Sequence, residues 1–220
     1  MKTKERIILE SLELFNERGE RNVSTNHIAA HLNMSPGNLY YHFRNKNEIV
    51  YQIFKNYELM VDAYLRVPED RAIEIKDLLF YLDAVFNGLW AYRFLHRDLE
   101  HLLDSDENLR EDYRAFTLRC VEGITAIIAA MEKSKVFDEQ TPEQRRTKAL
   151  NVWLIVTNWM TFLKTMFGAE QDAPSNRHAI RHGVYQVLDF IMPHLREAEQ
   201  RQVVGFQETY RFIGVLPEQI

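Results

Sequence analysis

The residue types best suited to chemistry gather between Ser35 and Lys46, in the stretch SPGNLYYHFRNK. Tyr40, Tyr41 and His42 offer hydroxyl and imidazole donors to phosphate oxygens, and flat groups to thymine methyls and sugars. Asn38 adds a carboxamide able to meet a base edge. Pro36 and Gly37 leave the backbone open to close approach. Lys46 sits beside the free N–H groups that begin another helix, a ready phosphate seat. This is the chemistry of non-covalent recognition of a polyanion. Exposed tyrosines add no solubility, and Gly37 lowers helix stability by about 1 kcal/mol relative to alanine, so a plain solvated surface explains the set poorly.

Other groupings fall short of chemistry. HRDL at His96–Leu99 resembles a kinase catalytic loop, but that loop needs Asn five residues after Asp98, where Leu103 stands. His96, Glu100 and His101 suggest a metal, yet the histidines are five apart instead of three or four, so a surface helix is expected there. Cys120, among Leu118, Val121 and Ile124, reads as a buried, inert thiol. With no Ser-His-Asp order, phosphate loop or dinucleotide fingerprint, the expectation is a non-enzyme using neither cofactor nor metal.

The elements that position the Ser35–Lys46 stretch are helical. Lys2–Arg18 reads as a first helix with Ile8, Leu12 and Phe15 on one face and Gly19 as its stop. Ser24 N-caps a second, Thr25–Leu32, with Ile28, Ala29 and Leu32 inward. A full capping box there needs Glu or Gln at position 27, and His27 is neither. Asn33 suits a left-handed turn residue. Ser35 caps a third helix with Pro36 at its first position. That helix is barely two turns and cannot stand alone, so Leu39 and Phe43 must pin it on Ile28, Leu32 and Phe15. Asn45 begins a fourth helix, about 46–65, with Glu48 completing a capping box. The turn of about four residues between the second and third helices is the helix-turn-helix spacing.

Beyond Pro68 the helices lengthen, near 70–93, 94–103, 106–134, 142–168, 175–195 and 196–213. The fold class expected is all-α: a three-helix head at 1–47, joined through the fourth helix to a larger helical body at 48–220. The chain has 220 residues and a net charge of −5, but residues 1–47 carry seven Lys/Arg against five Glu. That gives +2 there and −7 for the rest, a mildly basic head on an acidic body. The single cysteine forms no internal bridge and favours a reducing, cytoplasmic setting. No basic n-region followed by an apolar h-region opens the sequence, so a secretory signal is not expected. Residues 149–168 are the strongest membrane candidate, but Asn151, Asn158 and Lys164 make a buried helix the better reading.

Taken in order, ILESLELFNERG, VSTNHIAAHLNMS and PGNLYYHFRNKNEI make residues 7–53 resemble the DNA-binding head of the tetracycline-repressor (TetR) family of bacterial transcriptional regulators. The most specific element is Leu-Tyr-x-His-Phe followed by Asn-Lys. The resemblance implies an all-helical homodimer that binds a palindromic operator and usually represses. Carried over residue by residue, it implies DNA contacts at Thr25, Asn26, Pro36, Gly37, Asn38, Tyr40, Tyr41 and His42, with Lys46 on a phosphate. Asn33-Met34 stand where the family more often has Gly-Val, and His27 where an acid is common. The resemblance also implies a body that binds a small effector and dimerises. Helices at about 142–168 and 175–195 are apolar on more than one face and suit a four-helix bundle with their twofold mates. Aromatics crowd the body, and Trp90, Phe94, Phe116 and Trp153 are the expected lining of an effector pocket for a flat or apolar compound. The rival reading is a helical adaptor that packs on protein, or a helical small-molecule-binding protein.

Overall fold

A computed structural model describes residues 2–167 and 175–211. Among them lie α1 (Thr3–Arg18), α2 (Thr25–His31), α3 (Pro36–His42), α4 (Lys46–Tyr64), α5 (Ile75–Ala91), α6 (Arg93–Arg97), α7 (Leu99–Ser105), α8 (Glu107–Lys133), α9 (Pro142–Phe167), α10 (Ser175–Ile191) and α11 (Glu197–Gln207). The one β pairing among the described residues is an isolated antiparallel bridge between Phe137 and Leu195. No described helix is long and apolar enough to cross a membrane.

The chain forms two compact units: residues 1–60 with 91–115, and residues 61–90 with the described residues from 116 onward. In the first unit, Ile7, Leu14, Phe15, Ile28, Leu39, Ile49, Ile53, Phe54 and Phe94 are essentially removed from solvent. The buried stripe of α1 is Ile7, Ser11, Leu14 and Phe15, not the expected Ile8–Leu12–Phe15 face. Ser11 is fully buried with no partner for its hydroxyl, so a stripe traced through apolar types alone slips by one residue. Ile8 and Leu12 instead line a side cleft with Leu9 and Ile53.

The helix expected at 94–103 is two helices that break at Asp98. Asp98 leaves the helical region with φ of −110° and ψ of 15°, and beside it the Arg97 guanidinium donates to the carbonyls of Phe15 at 2.8 Å and Asn16 at 3.4 Å, capping the end of α1. Asn16, buried, locks the same junction: its amide donates to the Ala91 carbonyl at 2.8 Å, and its oxygen accepts the Phe94 N–H at 3.1 Å. His96 is not on a surface helix. It is buried, with Nε2 3.0 Å from the Tyr57 hydroxyl, and burial pushes its pKa down to about 4.

In the second unit, α5 begins at Ile75, later than expected. Asp77 accepts the Glu74 N–H at 2.8 Å and both Arg71 guanidinium nitrogens, so the preceding turn is spent capping the helix. That guanidinium holds the Asp77 carboxyl below its ordinary range. Phe86, Trp159, Ile180, Val184, Val187 and Leu188 form the centre of this unit's core. Gly183 permits the closest packing there: a Cβ on it would overlap the Phe86 ring and stand 2.8 Å from Trp159 Cδ1. The Trp159 indole N–H donates to the Ala179 carbonyl at 2.9 Å. Cys120 is buried, as expected. The last helix, expected to reach 213, gives way at Gln207 to a 3-10 turn, Glu208–Tyr210. The Tyr210 hydroxyl donates to Asp83 at 2.7 Å, which pins this turn to α5, while residues 212 and 213 lie outside the described residues.

Candidate nucleic-acid interface

In the head, α2, α3 and α4 each start at a side-chain cap. The Ser24 hydroxyl accepts the His27 N–H at 3.2 Å, and the His27 ring Nδ1 accepts the Ser24 N–H at 3.3 Å. The capping box is therefore complete despite the absence of an acid. A neutral imidazole carries an acceptor nitrogen, and at this position it reaches back as far as a carboxylate does. Asn33 turns the chain with φ of 53°. The Ser35 hydroxyl then accepts the Asn38 N–H at 3.2 Å to start α3. At α4 the Asn45 carboxamide oxygen accepts the Glu48 N–H at 2.9 Å. The return bond falls one residue earlier than expected: Glu48 accepts the N–H of Arg44, at 2.8 Å, in place of that of Asn45.

These caps fix which way α3 presents its side chains. Leu39 and Phe43 face inward and are buried, together with Ile28, Leu32 and Phe15. Lys4 lies 5.2 Å over the outer face of the Phe43 ring. Outward are Pro36, Gly37, Asn38, Tyr40 and Tyr41, all exposed, with His42 half-buried. Tyr41 is 85% exposed and meets the His42 ring edge-on at 5.2 Å. Nothing lies within 4 Å of where a Gly37 Cβ would stand, so the fold itself has no need of glycine there. On α2, Asn26 is exposed and Thr25 half-buried. The Thr25 and Tyr40 hydroxyls are 3.0 Å apart, a hydrogen bond that joins the start of α2 to the outer face of α3.

Lys46 is placed differently from its neighbours. Its ammonium lies 2.6 Å from Glu20 Oε1 and donates to the Glu20 carbonyl at 3.0 Å. Glu20 was not among the residues the sequence singled out. Its side chain is only 4% exposed, and its other oxygen, Oε2, has no hydrogen-bond partner. His101 Nε2 stands 3.8 Å from that oxygen, too far for a hydrogen bond. No signal in the sequence distinguishes Glu20 from the glutamates of the first helix just before it, because its partner Lys46 is 26 residues away.

Among the four aromatics expected to line an effector pocket, Phe116, fully buried, and Trp153, half-buried, contact edge-to-face at 6.0 Å. Trp90 is half-buried against the core of the same unit. Phe94 belongs to the first unit, where it packs on Phe15 at 5.1 Å. The described side chains of α9 are unequally covered. Ala149, Val152, Val156, Trp159 and Leu163 are buried along α9, while Leu150 and Leu154 are 46% and 48% exposed.

Comparison with known proteins agrees with this arrangement. Residues 7–53 match the family model described as bacterial regulatory proteins of the tetR family, and residues 56–203 match that of the bacterial transcriptional repressor TetR. The crystal structure of a TetR-family transcriptional regulator from Marinobacter aquaeolei is 52% identical, with a TM-score of 0.89 over 96% of this chain and all of that one. A TetR-family regulator from Thermus thermophilus is 25% identical, with a TM-score of 0.61 over 87% of this chain and all of that one. An HTH-type transcriptional regulator of Staphylococcus aureus strain MRSA252 is 24% identical over 104 residues, which is 47% of this chain and 54% of the relative. The chain thus spans about half the length of the curated relatives it matches. With a helix-turn-helix head and a helical body each matched by its own family model, the chain belongs to the tetR family of bacterial transcriptional regulators.

Proposed function

We propose that the protein is a cytoplasmic repressor that binds a palindromic operator as a homodimer and is released by a small apolar or aromatic effector. The observation that carries the DNA-binding part is α3, a seven-residue helix with Leu39 wholly buried behind and Tyr41 85% exposed in front. So short a helix gains nothing from presenting exposed aromatics and an unneeded glycine to water. It gains if that face is covered by a duplex. Thr25, Asn26, Pro36, Gly37, Asn38, Tyr40, Tyr41 and His42 then make the contacts, with Lys46 at the edge beside a phosphate. Residues 1–47 serve as the DNA-binding domain and residues 48–220 as the effector-binding and dimerisation domain.

Two such heads related by a twofold axis reach successive major grooves roughly 34–36 Å apart. The dimer forms through helices at 142–168 and 175–195. Leu150 and Leu154, one turn apart and about half exposed, are the apolar surface that a partner helix would cover. On the body side, Trp90, Phe116 and Trp153 line the effector site. An effector acts only if it binds the DNA-incompetent state more tightly than the competent one.

The test is selection of duplexes from a random pool by the purified protein, followed by binding measured against salt. The expected outcome is an inverted repeat, two protomers per site, and affinity that falls as salt rises. Recovery of no sequence, with no salt-dependent affinity for any duplex, would favour a protein-binding adaptor and end this reading.

A further inference from the structure

We propose that Glu20 is an internal counterion that competes with DNA phosphates for Lys46, so that the lysine is surrendered only to a duplex that fits the rest of the interface. This rests on the DNA-binding reading above.

The argument starts from the burial of the carboxylate. Glu20 lies in the 3-10 turn Glu20–Asn22 after α1, and Lys46 opens α4. The pair is closed at 2.6 Å, with Glu20 at 4% exposure and Lys46 at 25%. A carboxylate this buried must be paired, because desolvation without a partner costs more than the pair returns in water. Here Oε1 has the ammonium, Oε2 has nothing within hydrogen-bond range, and the His101 ring Nε2 stands off at 3.8 Å. Lys46 is thus the close charge that keeps Glu20 tolerable.

A phosphate that draws Lys46 away therefore leaves Glu20 buried and unmatched. Random DNA, held only by its backbone charge, has little binding free energy in excess of that penalty. A fitting site adds base-edge and apolar contacts from Asn38, Tyr40 and Tyr41, and these can drive the exchange. Glu20 then suppresses non-specific affinity more than operator affinity, which raises the ratio between them. It is a positioning residue and touches no DNA itself.

The experiment compares wild type, Glu20→Gln and Glu17→Gln by fluorescence anisotropy. The probes are a random-sequence duplex and a duplex selected by the wild-type protein, across a salt series. Glu17 is exposed near the end of α1, just before this turn, so its variant makes the same change in net charge. With Glu20→Gln, random-duplex affinity is expected to rise several-fold at low salt, with a salt slope steeper by about 0.9, the contribution of one freed phosphate contact. Selected-site affinity should change less, so the specificity ratio falls. Glu17→Gln should leave the slope near that of wild type. An equal effect from Glu17→Gln, or no change in slope with a folded Glu20→Gln, overturns the inference while leaving DNA binding intact. Failure of the wild type to bind any duplex overturns both.

A second measurement needs no folded variant. In the wild type, the side-chain ammonium NMR signal of Lys46 should hold its position on titration with random duplex and move with the selected one. Equal movement with both would also sink the idea.

Discussion

Replacing Gly37 by alanine should stabilise the folded chain and weaken its grip on DNA. The methyl group enters open space, since no atom beyond the chain neighbours and the helix's own backbone lies within 4 Å of the Cβ position, and Gly37 is not among the glycines with positive φ. Helix propensity favours alanine by up to about 1 kcal/mol in a helix interior. Gly37 follows Pro36 in the first turn of α3, so about half of that is a fair expectation. For a chain of this size roughly 0.5 kcal/mol corresponds to a rise in Tm of about 1–2 °C. The same methyl group would stand between the α3 backbone and a duplex pressed against it. Losing that close approach should cost tenfold or more in affinity, about 1.4 kcal/mol. Thermal unfolding followed by circular dichroism and anisotropy on a selected duplex read the two effects separately. A fall in Tm would show that the space around Gly37 has been misread. Unchanged affinity would show that glycine is there for some reason other than DNA.

Tyr41→Ala should alter the ranking of duplexes recovered from a random pool while leaving stability within about 0.5 kcal/mol, because an 85% exposed side chain contributes little to packing. Lys46→Ala should lower Tm as well as DNA affinity, since it strands the Glu20 carboxylate; an unfolding curve that matches wild type would contradict the buried pair. Gly183→Ala should destabilise by about 1–3 kcal/mol, because the new methyl overlaps the Phe86 ring, and thermal unfolding of the purified variant measures it. His96 predicts acid sensitivity. Its pKa in the folded state, about 4, lies below the ordinary 6.5, so the unfolded chain takes up the proton first. Its stabilisation is complete above about pH 6.5 and declines as pH falls toward 4, by up to roughly 3 kcal/mol. Urea unfolding against pH should show this slope, and His96→Gln should flatten it.

Much of the head is legible from local signals. Ser24, Ser35, Pro36, Asn33 and Asn45 each act within a few residues of themselves, so their roles as caps and turns follow from the sequence, and the structure reproduces them. The inward placement of Leu39 and Phe43 follows in the same way, from two apolar residues four apart on a helix too short to stand alone.

Where the sequence misled, the cause was a partner distant along the chain or a side chain acting outside its usual type. Ser11 is buried although polar, so the stripe of α1 lies one residue from where apolar types put it. Beside the break between α6 and α7, Arg97 reaches carbonyls some eighty residues away. His27 serves where an acid was expected because its neutral ring can accept a hydrogen bond. The burial of Glu20 under Lys46 is set by the packing of α4 against the turn after α1, 26 residues apart in sequence. Short-range hydrogen-bonding preference and helical period are properties of a segment and can be read along the chain. Burial and charge pairing are properties of the assembled fold, because the dielectric around a group and the identity of its neighbour exist only once distant segments have met.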